Sequence, residues 1–294
     1  MNRPPAPPSP APSLSPLRAL HQSAALIVDG NPTTRMTLAG QLRGMGLQSV
    51  SHTSRISEAR RELERNPFDV VICGDQFPKG GGSGQELLDD LRRSGLLPYA
   101  TVFVLLTDEA TYLKVSEAAE SAVDSYIVRP YSAGSLYDRI EQARLRKAAL
   151  LPIYQALDAQ QPEEAVRLAC ERVAVRGSQW QQAGRLGAEV LLRLERMDEA
   201  QALFQLLWDA DPKPCWALLG VARAQLDAGA TNAALQTLYA LIEAAPDYPE
   251  AYDVLGRAQL ELGRFQEALS SLEKALALTP MACLLYTSPS PRDS

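Results

Sequence analysis

The sequence is poor in the residues that build many catalytic and structural sites. Its 294 residues include only two histidines, His21 and His52, which argues against a histidine-rich metal site and against a serine–histidine catalytic triad. The four cysteines lie far apart and form no C-x-x-C pair. We therefore expect reduced, buried thiols in a cytoplasmic protein rather than a disulfide framework.

Long apolar runs and an excess of positive charge are also missing. No stretch approaches the ~18 uninterrupted apolar residues of a membrane-spanning helix, so we expect no membrane insertion. The net charge of −6 argues against nucleic acid as the main partner, because phosphate binding needs a basic face. What is present, 46% apolar and 22% charged residues, indicates a globular chain of about two domains.

The first 22 residues differ in composition from the rest of the chain. Seven of the first sixteen residues are proline, which fixes φ and lacks a backbone N–H donor. This composition predicts that residues 1–22 are a disordered leader. The alternative is that the segment is a proline-rich docking ligand for another protein.

Residues 24–146 alternate short apolar runs with amphipathic segments. The runs predict five strands, at Ala24–Val28, Leu47–Val50, Val70–Cys73, Thr101–Leu106 and Tyr126–Val128. The segments between and after them predict helices, the fourth of them around Val115. Continuous apolar strands separated by helices imply a parallel sheet covered on both faces. Polar residues at the strand ends are then expected to meet at the carboxyl edge of the sheet. They are Asp29, Asp75, Thr107 and Arg129.

These residues resemble a response-regulator receiver domain. The resemblance rests on Asp29 after the first strand, Pro78 after the third, Thr107 after the fourth, and Tyr126 and Arg129 around the fifth. It implies a flavodoxin-like sheet with strand order 2-1-3-4-5. It also implies Mg²⁺ held by an acidic pair, an aspartate phosphorylated at the end of the third strand, and a lysine that contacts the phosphoryl group. A threonine and an aromatic residue relay the switch in that family.

The sequence departs from the receiver pattern at three positions. Gly30 replaces the second acid of the Mg²⁺ pair, Gly74 stands at the phosphoacceptor position, and Arg129 replaces the lysine. Because Mg²⁺ is usually held by carboxylates and glycine has no side chain to phosphorylate, we predict a pseudo-receiver. It is expected to bind no metal and no cofactor.

Two interpretations of the pocket stay open. Asp75 lies one residue after Gly74, and the neighbouring loop glycines would let it swing in beside Asp29. In that case Asp75 is the phosphoacceptor and Mg²⁺ is the cofactor. In the other case there is no phosphoacceptor, and the pocket is formed by Asp29, Thr107, Tyr126 and Arg129.

Residues 150–280 carry an internal repeat. Alanine recurs every 34 residues at Ala200, Ala234 and Ala268. Proline recurs at the same interval, at Pro212, Pro246 and Pro280. Together with Tyr252, Leu255 and Gly256, these positions resemble the tetratricopeptide (TPR) repeat. The resemblance implies antiparallel helix pairs stacked into an α-solenoid, with small residues at Gly256 and Ala268 where the helices approach closely.

A TPR array implies a concave groove for a protein or peptide partner, lined by the first helix of each pair. The family's groove positions correspond to Arg185, Glu189, Trp216, Leu219, Arg223, Asp253 and Arg257. The alternative is that these residues form ordinary solvated helix faces and that Trp216 is a core residue between repeats.

The predicted organisation has four parts. They are a leader over 1–22, a receiver-like domain over 23–147, a TPR solenoid of about four helical hairpins over 148–280, and a tail over 281–294. Residues 283–293 resemble a translated sequencing adapter, which implies that the natural protein continues past about residue 282. The alternative is a genuine tail.

The fold class is therefore α/β plus all-α, and the function expected from it is binding rather than catalysis. We predict a non-enzymatic bacterial adaptor of two-component phosphorelay signalling that binds a protein or peptide through its repeats. The alternatives are a response regulator gated by phosphorylation at Asp75 and a constitutive TPR assembly scaffold.

Overall fold

The computed structural model describes residues 19–77, 82–108, 123–210 and 214–278. The chain divides into two compact units, Met1–Glu164 and Ala165–Ser294, and each is described by itself. Residues 1–18 of the predicted leader, the predicted tail and the fourth receiver helix around Val115, together with Pro78, Pro212 and Pro280, lie outside the described residues. The prediction of disorder is wrong for the end of the leader, because Leu20–Gln22 form a 3-10 helix and Leu20 packs against a core cluster.

The first unit is built on a five-stranded parallel sheet in the predicted order β2-β1-β3-β4-β5. Its strands are β1 Ala24–Val28, β2 Ser49–Thr53, β3 Val70–Gly74, β4 Val102–Thr107 and β5 Ser125–Val128. The second strand begins two residues later than the sequence suggested, because Leu47 is buried ahead of it and the edge strand itself is polar. An edge strand lacks the continuous apolar run that marks the central strands.

Four described helices cover the two faces of the sheet. They are α1 Pro32–Gly44, α2 Ile56–Arg65, α3 Gly84–Arg93 and α4 Ala133–Asp158. Alternate residues of β1 point to opposite faces. Ile27 packs in a core cluster with residues of α1 and α4, whereas Leu26 packs in a second cluster with residues of α2 and α3. The predicted flavodoxin-like α/β layer structure is therefore confirmed.

Helix α4 runs through the domain boundary predicted after residue 147. Pro152 lies inside it, although an interior proline costs a helix about 3 kcal/mol. Beyond the proline, Ile153 and Tyr154 are buried. The compact units divide after Glu164, so residues 148–158 belong with the sheet rather than with the repeats.

Seven described helices make up the second unit, and the last six form three helical hairpins. They are α5 Pro162–Ala174, which spans the division between the units, and then α6 Trp180–Arg193, α7 Met197–Ala210, α8 Cys215–Asp227, α9 Thr231–Ala244, α10 Pro249–Glu261 and α11 Phe265–Leu278. Helices α7, α9 and α11 start at residues 197, 231 and 265, 34 residues apart. The period found in the sequence is thus the spacing of the helical hairpins.

Small side chains stand where the two helices of a hairpin approach each other. Ala200, Ala234 and Ala268 are all fully buried. A Cβ atom at Gly256 would lie 2.7 Å from Leu272 Cγ, which is closer than packed carbon atoms tolerate. The sequence predicted this role for Gly256 and Ala268.

A repeated hydrogen bond between side chains escaped sequence analysis. Thr237 Oγ1 donates to Gln225 Oε1 at 2.8 Å, and Ser271 Oγ donates to Gln259 Oε1 at 2.8 Å. The two pairs occupy equivalent positions in successive hairpins, since the donors and the acceptors are each 34 residues apart in the numbering. Each pair satisfies polar groups inside a hairpin, which favours one register of its helices.

The expectation that the cysteine thiols are buried is only partly right. Within the described ranges Cys73, Cys170 and Cys215 form no disulfide, but only Cys73 is buried and Cys170 is exposed. Ala169 faces the core, and the next residue of a helix is turned about 100° away from it.

None of the helices in the described part of the chain combines the length and the apolar character needed to cross a membrane.

We expect Gly256→Ala to destabilise the repeat unit. The added methyl group must displace Leu272, and overpacking outweighs the gain in helix propensity, so the free energy of unfolding should fall by about 1–2 kcal/mol. Gly177→Ala is the matched control, because its new Cβ would meet Arg172 at an ordinary 3.6 Å. Chemical denaturation measures both changes, and equal stability of the two variants would contradict the close-approach argument.

Candidate functional site

The parallel sheet brings the predicted pocket residues to one edge. Asp29 follows β1, Gly74 ends β3, Thr107 ends β4 and Arg129 follows β5. Backbone hydrogen bonds tie this edge together, with Arg129 N donating to Thr107 O at 2.9 Å and Asp29 N donating to Thr53 O at 3.2 Å. These hydrogen bonds hold in place the backbone that carries the pocket side chains.

An ion pair fills the centre of the pocket. Arg129 Nη2 donates to Asp29 Oδ2 at 2.7 Å, and Arg129 Nη1 donates to both carboxylate oxygens of Asp108 at 3.0 and 3.2 Å. The Asp29 side chain is only 7% exposed and that of Arg129 28% exposed. One guanidinium thus bridges two carboxylates at the carboxyl edge of the sheet.

Both carboxylate oxygens of Asp29 are engaged. Besides the contact with Arg129, Oδ1 accepts a hydrogen bond from the backbone N–H of Asn31 at 2.7 Å. Arg35 Nη1 donates to the Asp29 carbonyl oxygen at 2.6 Å. Sequence analysis missed Arg35 and Asp108, although Asp108 directly follows the predicted pocket residue Thr107.

Position 74 faces the Asp29 carboxylate. A Cβ atom built on Gly74 would lie 3.0 Å from Asp29 Oδ2. A side chain at this position would therefore point into the pocket, where the receiver family carries its phosphoacceptor, and glycine provides none.

Asp75 has its own partner. Thr107 Oγ1 donates to Asp75 Oδ2 at 3.4 Å, and the Asp75 N–H donates to Leu106 O at 2.8 Å. Burial, together with the charges of Asp29 and Asp75, raises the pKa of the Cys73 thiol well above its ordinary value. Both carboxylates are thus close enough to act on this thiol, which stays protonated and unreactive near neutral pH.

Tyr126 and Tyr131 line a second cavity, beside β5, whose lining does not include Asp29, Thr107 or Arg129. Tyr126 packs against the core cluster on the α2 and α3 face, and it lines a cavity of about 620 Å³ with Tyr131 and Arg139. Burial raises the pKa of Tyr131, and Asp29 and Arg129 act on it with opposite signs. Tyr131 is therefore a neighbour of the ion pair that sequence analysis did not find.

The donors in this pocket do not fit the Mg²⁺ ion that the receiver family implies. Mg²⁺ requires near-octahedral oxygen coordination. Here Asp29 already holds an arginine, Gly30 stands in place of the second acid and Gly74 offers no oxygen from a side chain. Within residues 19–77, 82–108, 123–210 and 214–278, no group of three or more histidine, cysteine and acidic side chains could hold a metal ion.

The second unit brings three predicted groove residues together. Arg185 Nε donates to Glu189 Oε1 at 2.9 Å, and the Arg185 guanidinium lies 5.0 Å from the centre of the Trp216 ring. Trp216 also lines a cavity of about 710 Å³ with Trp180 and Arg176. The indole of Trp216 is half-buried, so it belongs to a surface cluster and not to the core.

The prediction that Leu219 lines the groove is wrong. It is only 2% exposed and lies in a core cluster with Ala222 and Leu226. These three residues share one face of α8 at helical spacing. Leu219 therefore packs against neighbouring helices and is not available to a partner.

The remaining groove residues form a charged surface on α8 and α10. Arg223 and Arg257 are exposed, and Arg257 Nη2 lies 3.8 Å from Asp227 Oδ1. Burial raises the pKa of Glu250, while Arg223 lowers it and Asp253 raises it. Arginine and carboxylate side chains are thus interleaved across the two helices.

Known proteins resemble both parts of the chain. Residues 25–141 match the family model described as a response regulator receiver domain, and two models described as tetratricopeptide repeat match residues 191–258 and 249–282. Chemotaxis protein CheY-3 of Vibrio cholerae is 30% identical over 117 residues, which are 40% of this chain and 88% of that protein. Chemotaxis protein CheY of Pseudomonas aeruginosa is also 30% identical over 117 residues, with 92% of that protein covered.

Solved structures similar to the chain cover the receiver-like part. The chemotaxis response regulator CheY4 of Vibrio cholerae is 21% identical with a TM-score of 0.37, over 41% of this chain and 98% of that chain. A response regulator receiver domain protein from Clostridium thermocellum is 25% identical with a TM-score of 0.38, over 43% of this chain and 97% of that chain.

We expect Arg129→Met to destabilise the first unit, because it leaves the buried Asp29 carboxylate without its cation. The partly exposed pair should contribute about 2 kcal/mol, less than a fully buried pair. Native-state amide exchange in β1 and β3 measures the change. Arg139→Met is the control, since Arg139 is exposed on α4 and its loss should change the stability by less than about 0.5 kcal/mol. Equal effects of the two variants would contradict a structural role for the ion pair.

Proposed function

Because the chain belongs to the response regulator receiver family and carries tetratricopeptide repeats, we propose that it is an adaptor of two-component signalling. In this proposal the receiver domain keeps its fold but takes up no phosphoryl group. The repeats bind a protein partner, and the chain acts by binding rather than by catalysis.

The observation that carries the proposal is the arginine within the pocket. A receiver needs a free acidic cluster to bind Mg²⁺ and an acceptor carboxylate beside it. Here the Arg129 guanidinium already contacts both Asp29 and Asp108, and position 74, which faces Asp29, is glycine. A positive charge thus already occupies the side of Asp29 on which a metal ion would bind.

Asp75 supports a second candidate function. Its carboxylate lies at the same edge of the sheet and accepts a hydrogen bond from Thr107, so a threonine hydroxyl is already beside a possible acceptor. A receiver phosphorylated at Asp75 would use this pair to change state.

The repeat unit supports the binding role. Arg223 and Arg257 stand at equivalent positions of α8 and α10, both exposed. Guanidinium groups bind carboxylates through paired, directional hydrogen bonds. We therefore propose that the partner presents carboxylate-bearing side chains to this surface.

Incubation with acetyl phosphate and Mg²⁺ should leave the protein unmodified, because the pocket offers neither a metal site nor an acceptor at position 74. Intact-mass spectrometry tests this, with a receiver that has the full acid set as the positive control. A gain of one phosphoryl group that disappears in Asp75→Asn would refute the pseudo-receiver and establish the second candidate.

Replacing Arg223 and Arg257 together with alanine should weaken the binding of acidic peptides. Loss of two charge-assisted contacts at an exposed surface should raise Kd about tenfold. Fluorescence anisotropy with a library of labelled peptides that differ in carboxylate number measures the change.

The control for this experiment is the double variant Arg193→Ala, Arg264→Ala. It removes two arginines that are also exposed but lie outside the predicted groove. Circular dichroism should show unchanged helicity for both double variants. Undiminished peptide binding by the Arg223 and Arg257 variant would place the partner site elsewhere.

A further inference from the structure

Helix α4 continues through a residue that ordinarily ends a helix. Pro152 lies at position 20 of the 26 residues from Ala133 to Asp158. Proline has no N–H to donate to the carbonyl group four residues earlier, and its ring crowds that carbonyl. The last turns of α4 therefore need stabilisation from outside the helix.

A stack of four side chains supplies contacts at this place. The Arg92 guanidinium lies 5.1 Å from the centre of the Tyr99 ring, and the Tyr99 ring is stacked on the Tyr154 ring with centroids 6.1 Å apart and planes 6° apart. Lys147 Nζ lies 4.8 Å from the centre of the Tyr154 ring. Each of the two rings thus has one cation close to it, an arrangement that the negative faces of the rings favour.

Hydrogen bonds join the same partners. Lys147 Nζ donates to the carbonyl oxygen of Tyr99 at 2.6 Å and lies 2.9 Å from Asp124 Oδ1. The backbone N–H of Tyr99 donates to Asp158 Oδ1 at 3.1 Å. Helix α4 therefore holds both polar groups of the Tyr99 backbone, from positions on either side of Pro152.

The burial of these groups distinguishes the cluster from a surface ion pair. Lys147 is 4% exposed and Tyr154 is 6% exposed. Burial lowers the pKa of Lys147 to about 8, against the opposing effect of Asp124, and it also lowers the pKa of Arg92. Desolvating two cations is unfavourable, so the aromatic faces and the carboxylates of Asp124 and Asp158 are needed to hold them there.

We propose that Arg92, Tyr99, Tyr154 and Lys147 form a clamp that fastens the end of α4 to the segment between α3 and β4 and keeps the helix intact past Pro152. The clamp makes residues 148–158 part of the sheet unit. It also fixes the point at which the chain leaves that unit, since only residues 159–161 separate α4 from α5. This inference does not depend on whether the receiver takes up a phosphoryl group.

The first test is amide exchange in Tyr154→Ala. Without the clamp, the amides of residues 153–158 should exchange at least about tenfold faster, while those of β3 keep most of their protection. Tyr137→Ala is the matched control, because Tyr137 lies on the same helix and is 42% exposed. Unchanged protection of residues 153–158, or an equal loss in β3, would overturn the clamp.

The second test removes the proline. If the clamp acts against the break at Pro152, Pro152→Ala in the Tyr154→Ala background should restore the protection of residues 153–158. Failure of this rescue would show that Tyr154→Ala damages the helix for another reason and would overturn the proposal.

A third pair of variants examines the partner ring. Tyr99→Phe keeps the ring and its backbone contacts and should leave the exchange unchanged, whereas Tyr99→Leu should reproduce the loss seen in Tyr154→Ala. If residues 153–158 were equally protected in Tyr99→Phe and Tyr99→Leu, the stacking of Tyr99 on Tyr154 would not be what stabilises the end of α4.

Discussion

Burial of the parallel sheet on both faces is the constraint on which the first unit depends. Parallel strands require crossover connections, and helices are the usual way to make them. The helices then cover two core clusters, one on each face of the sheet. The same geometry brings the carboxyl ends of the strands to one edge, so that Asp29, Thr107 and Arg129 meet although they are far apart in sequence.

The ion pair at the carboxyl edge of the sheet determines what the pocket can bind. An acidic pocket left without a counter-ion would bind a metal ion, but an arginine held against Asp29 at 2.7 Å satisfies the carboxylate internally. Arginine presents a planar fork of donors that can bind two carboxylates at once, and Arg129 contacts both Asp29 and Asp108.

Tertiary contacts also determine where the first unit ends. Pro152 by its local chemistry predicts the end of a helix. The stacking of Tyr154 on Tyr99 and the burial of Ile153 outweigh that local preference. In the repeat unit local and tertiary preferences agree, since the small residues at Gly256 and Ala268 allow the close helix approach that the 34-residue period requires.

The sequence by itself determined the alternation of strands and helices, the period of the repeats and the absence of a side chain at Gly74, because these follow from apolar periodicity and residue identity. The order of the strands was an expectation from the resemblance to receiver domains. It predicted that Asp29 and Arg129 share one edge of the sheet. Only the tertiary structure decided that Arg129 pairs with both Asp29 and Asp108, that Leu219 is core, and that α4 continues to Asp158. Those features depend on side-chain direction and on contacts between residues distant in the chain, and a local pattern contains neither.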